Sequence, residues 1–218
     1  MSEFVQAGII GLGKFGFTFG ETLIRQGVNV LGIDSNPDHV KRAQHVFTRT
    51  LQADASDKET LIQTGITDMS HVLVSVGESI AASTMISMYL KELGVPLVWV
   101  KAINADHANL LRKVGVDDVI IPEEMAARQL ANRLTIPGFI DYFPFNKEMI
   151  LREINIEKWS GLSLKEIGLT NRYQIQAIAL KKKNECDYSF IPKADEPLQE
   201  GDKLVVIGEI GHLDKIRP

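Results

Sequence analysis

A glycine-rich loop is the segment of this chain whose residue types and spacing could bind a phosphate group. It follows the pattern G-x-G-x-x-G and consists of Gly11, Leu12, Gly13, Lys14, Phe15 and Gly16. In such loops the first glycine permits a tight turn and the second lets the backbone approach a pyrophosphate. The third lets a helix pack closely on a strand. Amide groups at the helix start would face the anion, so the sequence predicts a phosphate-binding loop.

Asp34 supplies the carboxylate that accompanies such a loop in dinucleotide-binding folds. It ends the apolar run that begins at Asn29, roughly 20 residues after the loop, where an acid bonds the ribose hydroxyls. Because a carboxylate repels a 2′-phosphate, Asp34 favours NAD or a plain adenine nucleotide over NADP. A second acid, Asp54, closes the next strand candidate. A helix cap or a turn is the alternative role for both acids, but the order of the three signals favours binding.

The elements that must position these residues follow from the hydrophobic pattern. An apolar run precedes the loop, and Phe15, Phe19 and Leu23 recur at helical spacing after it. Strand and helix candidates then alternate up to about residue 135, and strands such as 72–74 and 97–100 are continuous apolar runs. This alternation predicts an α/β fold with a Rossmann-like, doubly wound parallel sheet and helices on both faces.

The pattern changes after the predicted first domain, residues 1–135. Ile136-Pro137-Gly138 breaks the preceding helix, and residues 136–148 fit neither a helical nor a strand period, which predicts a hinge. Residues 149–218 are richer in strand candidates and predict a small α+β domain. Because a domain of this size has a marginal core, we expect it to pack against a partner or a second copy.

Composition excludes several classes of protein. The formal net charge is −4 and basic residues form no long block, which argues against general nucleic-acid binding. The single cysteine, Cys186, cannot build a disulfide framework or a thiolate metal site and is predicted to be a surface thiol. The first residues have no signal-peptide pattern, and no apolar stretch is long enough to span a membrane. We therefore expect a cytoplasmic protein.

Candidate catalytic groups are few. The five histidines are scattered without metal-pair spacing, and His107 is predicted to be exposed at a helix start. Lys101 ends a predicted strand at the ligand crevice of a doubly wound sheet, where it could donate a proton or neutralise phosphate. An NAD-dependent oxidoreductase is therefore one alternative. A redox-sensing DNA repressor is another, although the chain lacks a basic recognition helix.

Several segments together resemble the cytoplasmic RCK-domain regulatory subunits of bacterial Ktr- and Trk-type potassium uptake systems. The resemblance runs in order to about residue 125, and less specifically through the last part of the chain. It implies that the glycine loop binds ATP, ADP or NAD(H) together with residues after the later strands. These are Asp34, Ser35, Asn36, Asp54, Ala55, Ser56, Val76, Gly77 and Lys101.

The resemblance implies a regulatory role rather than an enzyme. Subunits of this family form dimers that assemble into an octameric ring under an integral-membrane K⁺ transporter, which implies peripheral attachment to the inner face of the membrane. Glu123 matches a glutamate at the N-terminal dimer interface that can hold a cation such as Mg²⁺ near the nucleotide's terminal phosphates. Lys14 stands where the family often has Arg, which keeps the charge but loses bidentate geometry.

Some subunits of this family also bind cyclic di-AMP between paired C-terminal domains. The family motif Leu-Arg-x-x-Tyr-Gly corresponds to Leu169–Gln174 in this chain, where Thr170 replaces the arginine. Arg172 lies two positions further on and could serve instead. The sequence leaves this second ligand open, and it leaves open which nucleotide activates the protein.

Overall fold

The computed structural model describes residues 6–76, 79–143 and 146–218 of the chain. These residues form two compact units, one extending to Glu123 and the other beginning at Glu124. Each unit has its own sheet and its own hydrophobic core. None of the helices in the described residues combines the length and apolar character needed to cross a bilayer.

The first unit is a six-stranded parallel sheet with the strand order β3-β2-β1-β4-β5-β6. Its strands are β1 (Gln6–Ile10), β2 (Asn29–Asp34), β3 (Arg49–Gln52), β4 (His71–Val74), β5 (Leu97–Lys101) and β6 (Asp118–Ile120). Its helices are α1 (Lys14–Arg25), α2 (Pro37–Ala43), α3 (Lys58–Thr64), α4 (Ile80–Glu92) and α5 (Ala105–Val114). The predicted Rossmann-like α/β fold is confirmed.

Alternate residues of the strands face two separate helical layers, as the pleat of a strand requires. Ile10 packs in a core with Ile86 and Leu90 of α4. Its neighbour Ile9 packs in a second core against the aromatic side of α1, including Phe19. Both faces of β1 are therefore buried, which explains its continuous apolar run.

The order of the strands opens a crevice beyond the end of β1. The strands β2 and β3 lie on one side of β1, and the chain then crosses over to β4, on its other side. Hydrogen bonds extend the sheet one residue beyond its strands on both sides. The Gly11 N–H donates to the Ile33 carbonyl at 2.8 Å, and the Ser75 N–H donates to the Ile10 carbonyl at 2.7 Å. This reversal is where ligands bind in open α/β sheets.

Side-chain caps distinguish α1 from the next four α-helices, α2 to α5. Helices α2 to α5 each begin with a side chain that accepts a backbone N–H, supplied by Asn36, Asp57, Ser79 and Asn104. The residue before α1 is Gly13, no side chain caps this end, and no acidic residue lies in its first turn. The positive end of the α1 dipole is therefore left for another acceptor.

The second unit contains a five-stranded sheet in the order β10-β9-β11-β8-β7, in which all pairs are antiparallel. Its strands are β7 (Phe139–Phe143), β8 (Asn146–Asn155), β9 (Gln176–Lys181), β10 (Ser189–Phe190) and β11 (Lys203–Glu209). The helices are α6 (Pro122–Thr135), which starts at the end of the first unit, α7 (Leu164–Ile167) and α8 (Ile210–Leu213). Cys186 is exposed, as predicted.

Parts of two strands lie in the segment 136–148, where the sequence predicts a hinge. It contains β7 and the start of β8, while residues 144 and 145 lie outside the described part of the chain. Pairing of β7 with β8 shifts register twice, between Phe139 and Asp141 and between Tyr142 and Phe143. Such irregularities interrupt the strand period, which explains why the sequence shows no clear pattern. The domain boundaries 1–135 and 149–218 stay a prediction, and the compact units divide earlier, after Glu123.

The prediction that His107 is exposed is wrong. Its side chain lies between α5 and α4, and the residue is only 2% exposed. Nε2 lies 2.9 Å from Ser83 Oγ, and the Ile103 N–H donates to Nδ1 at 3.3 Å. Burial lowers the pKa of His107, which keeps the imidazole neutral. Its polar partner comes from a different helix, so periodicity in α5 could not reveal it.

Candidate functional site

A cavity of about 970 Å³ lies at the carboxyl ends of the strands of the first unit. Its size is at the upper end of the range typical of small-molecule sites. The residues that line it come from the glycine loop and the start of α1, from the ends of β1, β2 and β5, from the turns after β2 to β5, and from α2, α4 and α6. They are Ile10, Gly11, Gly13, Lys14, Phe15, Ile33, Asp34, Ser35, His39, Ala53, Asp54, Ala55, Ser56, Ser75, Val76, Ala82, Ile86, Lys101, Ile103 and Glu123.

Most of the predicted site residues line this cavity, but three of the described ones do not. Leu12 is fully buried behind the loop, and Gly16 is buried in α1. Asn36 caps α2, its side chain accepting the Asp38 N–H. Gly77 lies outside the described residues. The assignment of the site residues to a ligand stays a prediction.

The three glycines of the loop meet different surroundings. Gly11 has φ +93°, a conformation that favours glycine, and a Cβ there would overlap the Ser75 carbonyl. A Cβ at Gly16 would overlap the Gly11 carbonyl oxygen. A Cβ at Gly13 would meet nothing within 4 Å, although Gly13 lines the cavity. Gly11 and Gly16 are therefore required by the fold, whereas Gly13 leaves space for a ligand.

The start of α1 forms the electropositive part of the cavity. The helix begins at Lys14, directly after Gly13, and both residues line the cavity. Lys14 forms no ion pair with any residue that the structure describes. An uncapped helix start beside a free ammonium group is suited to a phosphate or another anion.

Asp34 is held at the end of β2 by backbone amides. Oδ2 accepts the Leu12 N–H at 2.6 Å, and Oδ1 accepts the Asn36 N–H at 2.8 Å. The Leu12 carbonyl accepts a hydrogen bond from Arg42 Nη2, also at 2.6 Å, and the Arg42 guanidinium lies 4.4 Å from the centre of the Phe17 ring. These contacts fix the glycine loop against β2 and orient the carboxylate toward the cavity.

Asp54 both forms a turn and lines the cavity. Its Oδ1 accepts the Ser56 N–H at 2.9 Å, a local contact within the turn that follows β3. Asp54, Ala55 and Ser56 all line the cavity nonetheless. The turn that the sequence offered as the alternative to binding is therefore present, and it places the second acid at the site.

Lys101 and Glu123 form an ion pair on the cavity wall. Lys101 Nζ lies 2.7 Å from Glu123 Oε1. The hydrogen bond from Lys101 lowers the pKa of Glu123 below the usual glutamate value. No cluster of three or more His, Cys, Asp or Glu residues that could hold a metal ion occurs within the described residues. Glu123 therefore supplies one carboxylate, already paired with a lysine.

His39, Ser75 and an apolar wall line the cavity without having been predicted. The wall consists of Ile10, Ile33, Ala53, Ala82, Ile86 and Ile103. Ile10 and Ile33 of this wall end the buried apolar runs of β1 and β2, and these runs are visible in the sequence. His39 lies three residues after the cap of α2, and no sequence motif marks it.

The strand order, the glycine loop and the acid after β2 together define a Rossmann-like domain of the nucleotide-binding type. The TrkA-N domain model matches residues 7–122, and the TrkA-C domain model matches residues 151–218. The chain belongs to the TrkA-N/TrkA-C family, which includes the Ktr system potassium uptake proteins.

Two relatives from Bacillus subtilis (strain 168) match over most of their length. The chain is 32% identical to Ktr system potassium uptake protein C, covering 95% of this chain and 93% of the relative. It is 31% identical to Ktr system potassium uptake protein A, covering 93% of this chain and 91% of the relative. The resemblance stated from the sequence is confirmed.

Solved structures support the same fold. The GsuK RCK domain matches 97% of this chain with a TM-score of 0.51 and 20% identity. The GsuK channel bound to NAD matches 97% of it with a TM-score of 0.53 and 20% identity. This chain spans 45% and 38% of the length of those two chains. At this identity the comparison supports the fold alone.

Proposed function

We propose that this protein is a nucleotide-binding regulatory subunit of a bacterial K⁺ uptake transporter and not an enzyme. The observation that carries the proposal is the cavity in which the uncapped start of α1 and the Asp34 carboxylate line the same space. These groups suit a phosphate and a ribose respectively. The Ktr relatives supply the physiological setting, because the matches cover more than 90% of this chain and of each relative.

The ligand is an adenine nucleotide: ATP, ADP or NAD(H). The apolar wall formed by residues such as Ile33 and Ile86 suits a base, and Asp34 disfavours a 2′-phosphate. Lys14 lies at the helix start, where a second phosphate would follow the first. Binding would regulate the transporter because the nucleotide has different affinities for two states of the assembled protein.

Self-association is supported by the exposure of α6. None of its residues is buried, and Met125, Leu130 and Leu134 are 64%, 60% and 88% exposed. An isolated helix of this length is marginal in water, and exposed apolar side chains of this size favour a covering surface. We propose that a second copy covers it, within a dimer that assembles further into an octameric ring.

The membrane partner is an integral-membrane K⁺ transporter subunit, to which the ring attaches peripherally on the cytoplasmic side.

Cyclic di-AMP is not part of the proposal. A cavity of about 270 Å³ in the second unit is lined by Thr170 and Asn171. Thr170 lacks the charge of the family's arginine, and Arg172 is not among the described residues that line this cavity.

The proposal is tested by calorimetry and light scattering of the purified full chain with ATP, ADP and NADH. We expect saturable binding of at least one nucleotide, a particle larger than a dimer, and a hydrodynamic radius that depends on the nucleotide. No NADH consumption is expected with 2-hydroxy acids or aldehydes. A monomer that binds none of the three nucleotides, or a protein that oxidises NADH with these substrates, would contradict the proposal.

Glu123 is proposed to hold Mg²⁺ when a triphosphate is bound. The single carboxylate of one chain is not a metal site, so phosphate oxygens and a partner subunit would supply the other ligands. A carboxylate repels a triphosphate unless a cation lies between them, and ADP would leave this contact incomplete. We therefore expect Glu123→Gln to bind both nucleotides but to lose the preference for ATP that Mg²⁺ confers.

This preference is measured by titrating ATP and ADP into wild type and into Glu123→Gln, each with and without Mg²⁺. Glu124→Gln is the matched control, since this neighbouring glutamate is exposed and does not line the cavity. If Mg²⁺ acts equally on wild type and Glu123→Gln, Glu123 is left with its ion pair to Lys101 and its place in the first turn of α6.

A further inference from the structure

His39 contacts the carboxylate that the proposed ribose site needs. Its Nδ1 lies 2.9 Å from Asp34 Oδ2. The same oxygen accepts the Leu12 N–H at 2.6 Å, and the other oxygen accepts the Asn36 N–H at 2.8 Å. The Asp34 carboxylate therefore already has three partners, of which two are backbone amides and one is a side chain.

This arrangement leaves too few acceptor positions on Asp34 for a ribose. A carboxylate offers about four lone-pair positions, so one stays open while His39 is in place, whereas a ribose presents two adjacent hydroxyl groups. The Leu12 and Asn36 amides belong to the glycine loop and to the start of α2, and neither can leave without rebuilding the backbone. The His39 side chain is 37% exposed, so it can rotate away by a rotamer change.

We propose that His39 competes with a ribose hydroxyl for Asp34 and thereby makes nucleotide affinity depend on pH. The inference rests on the proposed function, because it requires a nucleotide with its ribose at Asp34. Imidazole changes its charge near neutral pH, and a charged donor forms a stronger hydrogen bond to a carboxylate than a neutral one. Protonated His39 therefore holds Asp34 more firmly, and nucleotide binding releases a proton.

The direction of the effect follows from this competition. A ligand that must displace a protonated side chain binds more weakly as the pH falls. At high pH the neutral imidazole is displaced more easily, and affinity rises. If His39 instead donated to the nucleotide, its protonation would raise the affinity as the pH falls, so the two roles predict opposite signs.

The charged groups around His39 come from several elements. Asp34 from β2 is the one charged group in hydrogen-bonding contact with His39 within the described residues. Lys14 from α1 and Asp54 from the turn after β3 line the same cavity. On α2 itself, Asp38 precedes His39 and Arg42 is directed at the Leu12 carbonyl. Of these groups, Asp34 makes the direct contact with His39.

The test compares nucleotide affinity of wild type and His39→Ala at pH 5.5 and pH 8, by calorimetry on the full chain. NAD⁺ is the first probe, because its phosphates do not titrate in this range, and ADP is the second. The phosphates of ADP titrate in this range, but equally for both proteins. The ratio of variant to wild-type affinity therefore removes their contribution. His45→Ala is the matched control, since His45 is exposed and does not line the cavity.

We expect wild type and His45→Ala to bind NAD⁺ about fivefold more weakly at pH 5.5 than at pH 8, as the difference between charged and neutral hydrogen bonds implies. His39→Ala should show no such dependence and should bind more tightly than wild type at pH 5.5. In buffers of different ionisation enthalpy at pH 6.5, wild type should release protons on binding and His39→Ala should not.

Two results would overturn the inference while leaving the proposed function standing. One is an unchanged pH dependence in His39→Ala, and the other is weaker binding by this variant at both pH values, which would make His39 a ligand contact. Matching melting temperatures of wild type and His39→Ala without nucleotide establish that the variant is folded. Failure of wild type to bind NAD⁺, ADP or ATP at either pH would contradict the proposed function and this inference together.

Discussion

Asp34→Ala should weaken nucleotide binding by roughly 10- to 150-fold. The variant removes the carboxylate that would accept the ribose hydroxyls, and a hydrogen bond to a charged group contributes about 1.5–3 kcal/mol. At ~1.4 kcal/mol per decade, this energy corresponds to the stated range of dissociation constants. The measurement is a calorimetric titration of ATP, ADP and NADH at pH 8, where competition from His39 is smallest.

Controls separate this loss from damage to the loop, because Asp34 also accepts the Leu12 N–H. Asp34→Asn keeps an oxygen for that amide but loses the charge, so we expect it to retain the wild-type melting temperature more closely while still losing affinity. Asp38→Ala removes a neighbouring acid that does not line the cavity and should bind normally. Unchanged affinity for all three nucleotides in Asp34→Ala would refute the ribose assignment.

Alanine substitutions at Gly13 and Gly16 should separate ligand binding from folding. At Gly13 the backbone φ is −61°, which alanine adopts without strain, and the added methyl group meets no atom within 4 Å. That methyl group would instead occupy the space where the backbone approaches a phosphate. We expect Gly13→Ala to fold with a near-wild-type melting temperature and to bind nucleotide at least ~10-fold more weakly, since each lost charged hydrogen bond is worth about 1.5–3 kcal/mol.

Gly16→Ala should show the opposite result. Its methyl group would overlap the Gly11 carbonyl oxygen, so α1 must move away from β1. Overpacking of this kind costs about 1–3 kcal/mol of unfolding free energy. Thermal unfolding without nucleotide measures this cost, and calorimetry measures binding by the two variants. A destabilised Gly13→Ala, or a Gly16→Ala as stable as wild type, would show that the two glycines do not have these separate roles.

The parallel sheet and the glycine-loop side of the cavity could be predicted because their signals are local. The glycine pattern spans six consecutive residues, from Gly11 to Gly16. The acid that follows it, Asp34, ends a strand whose apolar run is itself visible. Parallel strands place their carboxyl ends on one edge of the sheet, so order along the chain was enough to bring these groups together.

The second unit was less predictable because its strands are irregular. Register shifts in β7 conceal the alternation that would have marked 139–143 as a strand. The sequence shows the apolar residues of α6, but whether they are exposed depends on what else covers the helix. A pattern of apolar residues indicates that a face needs a partner, and it does not reveal which surface supplies one.

The amino-acid sequence alone determined the Rossmann-like fold, the glycine loop and the position of Asp34, because each depends on residue types within one strand–turn–helix segment. Only the tertiary structure showed that Lys101 pairs with Glu123, that His39 contacts the Asp34 carboxylate, and that His107 is buried against Ser83. These contacts depend on side-chain directions and helix packing between separate elements. Each contact exists only because folding brings the two side chains within a few ångströms of each other. The spacing of residues along the chain does not predict these distances.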